Sequence, residues 1–152
     1  MRFILIALCL ALAAAGSARA DGSAPASLYA NPQPSLDHPR KIVMSLSERD
    51  PARMNEIIGN VGNIQKFYGA DNVRIVLVVY GPGIHAVLKD ESPVRARIEG
   101  LLAIDVTVEA CGATLQSLRK TASDLIDGIA VVPNGLPEIV ERQVSGYYYV
   151  RP

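Results

Sequence analysis

The run VRIVLVVY at residues 73 to 80 constrains the fold more than any other stretch of the chain. Apart from Arg74 every residue in it is apolar, and most are β-branched. An apolar run without alternation marks a central strand buried on both faces of a parallel sheet. Parallel neighbours cannot be joined by tight turns, so crossover helices must lie between the strands.

The rest of the chain meets that requirement. Lys41 to Leu46 reads as a short strand, followed by Asp50 as a cap and Pro51 as the first helical residue. Met54, Ile57, Ile58, Val61, Ile64 and Phe67 then recur at helical spacing up to Gly69. After the central strand, Gly81-Pro82-Gly83 is a turn, Ile84 to Leu88 a helical turn, and Ser92-Pro93 opens a helix to about Leu102. Asp105 to Ala110 reads as the third strand, and the leucines from Thr114 to Ile126 as a helix broken near Ser123. A fourth strand over Ile129 to Val132, a helix over Pro137 to Val144 and a short strand over Tyr147 to Val150 complete the pattern. The expected fold is α/β, a three-layer α/β/α sandwich with a five-stranded, mainly parallel sheet.

The N-terminus has the three parts of an export signal. Met1-Arg2 is positive, Phe3 to Ala15 is apolar, and Ala18-Arg19-Ala20 is a small-x-small cleavage site. The expected organisation is therefore a signal peptide over residues 1–20, cut after Ala20, a Pro-rich flexible arm over 21–39, and one domain over 40–152, in a periplasmic or secreted protein. The apolar run falls short of the roughly 18 to 20 residues of a membrane span, so no membrane association is expected after cleavage. Cleavage removes Arg2 and Arg19, leaving 13 basic residues against 15 acidic ones. With no basic run or basic-aromatic interleaving, nucleic acid is not an expected partner.

Cleavage would also remove Cys9 and leave Cys111 as the only thiol. An internal disulfide and a Cys-x-x-Cys dithiol site are then both excluded. His38 and His85 are too far apart in sequence to suggest a metal site, and no cofactor is expected. No Gly-x-Ser-x-Gly elbow, phosphate loop or dinucleotide fingerprint is present.

Cys111 stands where the third strand gives way to Gly112-Ala113-Thr114 and a helix. Ligands of open α/β sheets gather outside the carboxyl ends of strands, and helical N–H groups there favour thiolate over thiol. If the second and third strands are adjacent, the crevice would combine Gly81, Gly83 and His85 with Cys111, Gly112 and Thr114. His85 would tune the thiol, whereas Glu109, on the same sheet face by strand alternation, would raise its pKa if close. The competing reading of Cys111 is a small buried hydrophobe.

Four segments together carry a family resemblance. They are Asn63-Ile64 through Tyr68-Gly69-Ala70, VRIVLVVYGPGIHAVL at 73 to 88, VTVEACGATL at 106 to 115, and Val132-Pro133-Asn134-Gly135 continuing through Glu138 and Gln143 to Gly146-Tyr147-Tyr148-Tyr149. In order and spacing they resemble the DsrE/DsrF-like family. The resemblance implies sulfur-relay chemistry, in which Cys111 would carry sulfane sulfur as a persulfide in a sulfur carrier or sulfurtransferase. It also implies a homotrimer or homohexamer, with a sulfur donor or acceptor protein or a small sulfur compound as partner. Tyr80 departs from the histidine common at that place in similar chains. The alternatives are a non-enzymatic oligomeric module that binds a small ligand, and an oxidant sensor passing through sulfenic acid.

Overall fold

The apolar run forms the middle strand of the sheet. A computed structural model describes residues 29–152, and the expected export signal over residues 1–20 and the beginning of the expected arm lie outside them. The five strands are β1 (Arg40–Leu46), β2 (Val73–Val79), β3 (Thr107–Cys111), β4 (Ala130–Val132) and β5 (Tyr148–Val150). Their spatial order is β4-β3-β2-β1-β5, and every pairing is parallel.

Strand alternation divides the residues between two apolar layers. On one face Ile42, Met44, Leu46, Ile75, Leu77, Val79, Val108 and Ala110 pack with Met54, Ile57, Ile58 and Val61 of α1 (Pro51–Tyr68) and Ile98 and Leu101 of α2 (Arg95–Leu102). On the other face Val43, Val76 and Val78 meet Ile139 of the amphipathic helix α4 (Gly135–Val144), with Tyr80 and Tyr147 at the margin. The fold is thus the expected three-layer α/β/α arrangement.

The start of α1 follows its sequence signals. Asp50 Oδ1 accepts the N–H groups of Ala52 at 2.8 Å and Arg53 at 3.0 Å, and Pro51 needs no partner as the first helical residue. Gly69 ends the helix at φ 84°. Within the described part of the arm, Tyr29 stacks on Tyr68 with ring centroids 5.6 Å apart and donates its hydroxyl to the Phe67 carbonyl at 3.1 Å.

Two elements differ from the sequence pattern. Ser92 does not cap α2; its hydroxyl donates to the Ala86 carbonyl at 2.6 Å and accepts the Val94 N–H at 3.2 Å, so it ties down the preceding turn. The leucine spacing after Cys111 predicts a longer helix than α3 (Gly112–Ser117). The chain leaves that helix at Leu118, Arg119 adopts φ 56°, and a 3-10 turn at Ala122–Asp124 follows. Leu115, Leu125 and Ile126 still reach one core, because the break returns the chain beneath the same layer.

Candidate functional site

Cys111 is the last residue of β3 and the residue immediately before α3. It is 3% exposed, and strand alternation turns it toward the α4 face with Glu109. Burial pushes its thiol pKa up, but donors outweigh burial. The Thr114 hydroxyl and the backbone N–H groups of Gly135, Thr114 and Ala113 lie about the sulfur and hold the thiol below its ordinary value, while the Ala113 N–H itself donates to the Pro133 carbonyl at 3.1 Å. Hydrogen bonds to the charged form are the physical cause.

The donors come from the starts of two helices. Ala113 and Thr114 begin α3, and Gly135 begins α4. The Thr114 hydroxyl oxygen accepts the Gly81 N–H at 3.1 Å, which leaves its own proton for the sulfur. Close backbone approaches hold this arrangement. A Cβ on Gly112 would stand 3.0 Å from the Val132 carbonyl oxygen, and one on Gly135 would stand 3.0 Å from Tyr80 Cβ. Replacing Thr114 by Val removes the hydroxyl while keeping the shape, so the apparent pKa of Cys111 should rise. The measurement is the rate of iodoacetamide alkylation against pH; an unchanged profile would show that the hydroxyl does not support the thiolate.

Strands β2 and β3 are adjacent, yet the crevice gathers only part of the predicted set. Gly112 follows Cys111 directly, Thr114 lies beside its sulfur, and Gly81 reaches the site through the Thr114 hydroxyl. Gly83 instead lies under β1, where a Cβ would be 2.3 Å from the Leu46 carbonyl oxygen, so its place in the fold is a backbone approach. His85 Nδ1 lies 2.9 Å from Glu91 Oε2, whose other oxygen is 2.8 Å from Lys120 Nζ. Lys120 first, then His85, holds the Glu91 carboxyl below its ordinary value. His85 faces a surface depression with Arg49, Pro51, Met54 and Pro93, and it is not among the groups bonded to the sulfur.

Glu109 shares the sheet face of Cys111, as alternation predicts, but its charge is engaged elsewhere. Arg142 of α4 bonds Glu109 Oε1 and reaches Glu138 Oε1 at 2.7 Å through Nε. Burial pushes the Glu109 carboxyl above its ordinary value; Arg142 opposes that and Glu138 adds to it. Its second oxygen, Oε2, is buried without a hydrogen-bond partner among the described residues.

Sequence reasoning missed Gly135 and Arg142. The only signal for Gly135 was the Pro133-Asn134-Gly135 turn at the end of the fourth strand, and nothing local marked Arg142 as the partner of Glu109. Among the described residues no group of three or more His, Cys, Asp or Glu side chains is placed to hold a metal ion, and no helix is long and apolar enough to cross a membrane.

Comparison with known proteins identifies a family and solved structures of like fold. The DsrE/DsrF-like family pattern matches residues 42–152. A protein of unknown function, MTH1491 from Methanobacterium thermoautotrophicum, is 32% identical with a TM-score of 0.70, covering 74% of this chain and 99% of that one. The ychN protein from E. coli is 15% identical with a TM-score of 0.62, covering 75% and 99%. BT1422 from Bacteroides thetaiotaomicron, also of unknown function, is 20% identical with a TM-score of 0.59, covering 74% and 94%. The last two show likeness of fold. No curated protein matches the chain significantly.

Proposed function

The chain belongs to the DsrE/DsrF-like family, and on that premise we propose that it is a sulfur carrier or sulfurtransferase that binds sulfane sulfur as a persulfide on Cys111. The observation that carries the reading is the place of Cys111, at the carboxyl end of β3 and directly before α3, where the Thr114 hydroxyl and the N–H groups that start α3 and α4 hold the thiol below its ordinary value despite burial. A thiolate is the form that attacks a sulfane sulfur. The Cys111 thiolate attacks the donor's outer sulfur, the donor's S–S bond breaks, and the donor departs as its own thiolate. The reverse attack by an acceptor thiolate unloads the carrier. Gly81, Gly112 and Thr114 shape the thiolate pocket. With the expected signal cut after Ala20, the carrier works in the periplasm or outside the cell, so its donor and acceptor are found there.

Treating the reduced protein with inorganic polysulfide and weighing it intact tests this. One added sulfur atom is expected on the wild type and none on Cys111→Ser; an unmodified wild type, or a Cys111→Ser protein that loads equally, sinks the reading.

Burial of Cys111 to 3% exposure favours a second reading, an oligomeric small-ligand module in which the thiol is an inert wall. Slow alkylation that speeds up only in denaturant would support it. Both readings use self-association. Leu136, Val140 and Val144 are exposed at four-residue spacing along α4, and Tyr148 is 70% exposed beside them in sequence. A homotrimer or homohexamer would cover this stripe. Light scattering at micromolar concentration should report the oligomer, and Val140→Glu should dissociate it; a wild-type monomer would count against the assembly.

A further inference from the structure

Strands β1 and β5 are neighbours that the chain reaches from opposite directions. From β1 the chain steps through β2 and β3 to the β4 edge, and α4 returns it over the other face to β5. A reversal in strand order opens a crevice outside the carboxyl ends, where α/β sheets hold ligands. A cavity of about 270 Å³ lies there, bounded by Ser45, Ser47, Glu48, Tyr80, Tyr149 and Arg151. The larger cavity of about 460 Å³, lined by Tyr29, Arg40 and Tyr148, lies at the opposite, amino end of these strands.

The chemistry of the carboxyl-end cavity is specific. Ser45 Oγ and the Tyr149 hydroxyl bond each other at 2.8 Å, and Glu48 Oε2 accepts the Ser47 N–H at 3.0 Å. Among the described residues neither Glu48 nor Arg151 has an ion-pair partner. The Glu48 carboxylate and the Arg151 guanidinium, in a small hydroxyl-lined space that Pro152 also lines, fit an α-amino-acid zwitterion. Arg151 would take its carboxylate and Glu48 its ammonium.

Tyr80 is the wall shared with the thiol. It lines the cavity and abuts Gly135, whose N–H lies beside the Cys111 sulfur. Leu46 pairs with Val79 and Val79 with Ala110, so Ser47, Tyr80 and Cys111 follow at one level on three neighbouring strands. Two strand spacings separate Ser47 from Cys111 by about 10 Å. In free cysteine persulfide the α-carbon is only about 4 Å from the outer sulfur, whereas a γ-glutamyl thiol places its terminal α-carbon about 9 Å from its thiol sulfur. The span selects the longer molecule.

We infer that this cavity binds the γ-glutamyl zwitterion of a glutathione-type persulfide and presents its outer sulfur to Cys111. The inference rests on the sulfur-carrier reading and names its donor. The Cys111 thiolate attacks the outer sulfur of the persulfide, forming Cys111–S–SH, and the S–S bond of the donor breaks. The glutathione thiolate leaves with that electron pair and takes a proton from water.

Two measurements test it. Calorimetric titration of the Cys111→Ser protein with S-methylglutathione should show saturable binding that Arg151→Met and Glu48→Gln each weaken about tenfold. No saturable binding, or binding that both variants leave intact, overturns the inference. In the Cys111 protein, Arg151→Met should lower the ratio of the loading rate from glutathione persulfide to that from inorganic polysulfide about tenfold, and Arg151→Lys should recover part of it. An unchanged ratio overturns the inference, whereas failure to load from either donor defeats the sulfur-carrier reading and leaves the titration to decide what the cavity binds.

Discussion

Gly83→Ala is expected to lower the stability of the domain by about 3 kcal/mol or more, measured as the urea midpoint with its slope. A Cβ there would stand 2.3 Å from the Leu46 carbonyl oxygen and 2.6 Å from Leu46 Cδ2. The carbonyl cannot move aside cheaply, because it also accepts the Tyr80 N–H at 3.1 Å where β1 and β2 end together. Displacing it would open the carboxyl edge of the sheet beside Gly81 and the thiol. Gly62→Ala is the matched control. It lies within α1 with nothing within 4 Å of its added Cβ, and alanine in a helix interior should stabilise by up to about 1 kcal/mol. Equal stability of the Gly83→Ala protein and the wild type would show that the approach at Leu46 is not a fixed constraint.

Arg142→Met should cost about 3 kcal/mol at neutral pH, and the cost should shrink as the pH falls. The substitution keeps much of the side-chain volume against Tyr147 but leaves Glu109 buried beside Glu138 without its cation. The folded-state pKa of Glu109 is already raised, and losing Arg142 raises it further. A raised folded-state pKa means that the fold favours the proton-bound form more than the unfolded chain does. The Glu109 contribution is fully present below the unfolded pKa and is lost as pH rises through the higher folded one. Thermal melts of wild type and variant from about pH 8 down to about pH 5 should therefore converge toward the acid end. Parallel curves at every pH would mean that Arg142 acts by packing alone. Because α4 also aims the Gly135 N–H at the Cys111 sulfur, the same variant links the ion pair beneath the helix to the thiolate at its start.

The strand and helix pattern was legible where burial leaves a local trace. The run at residues 73 to 79 is apolar on both sides because β1 and β3 flank it and both faces are covered, so its lack of alternation specified a central parallel strand. Asp50 and Pro51 announced α1, since a cap and a first-turn proline act within three residues. The failures came where a longer-range partner competed with local preference. Ser92 looked like a cap until Ala86 supplied a carbonyl for its hydroxyl. The leucines after Cys111 kept helical spacing through a segment that α3 leaves after six residues.

The sequence alone was enough to determine the fold class and the place of the thiol, because a nonalternating apolar strand requires crossovers and Cys111 sits at a junction that crossovers always create. Tertiary structure decided what surrounds that thiol. Strand order brought Gly81 and Gly135, 30 residues before and 24 residues after Cys111, to bear on the site through Thr114 and directly. It turned His85 toward Glu91, put Gly83 beneath Leu46, and gave Glu109 to Arg142. These assignments depend on which strands are neighbours and on how each helix is rotated over the sheet, and such long-range packing leaves no periodic mark in the chain.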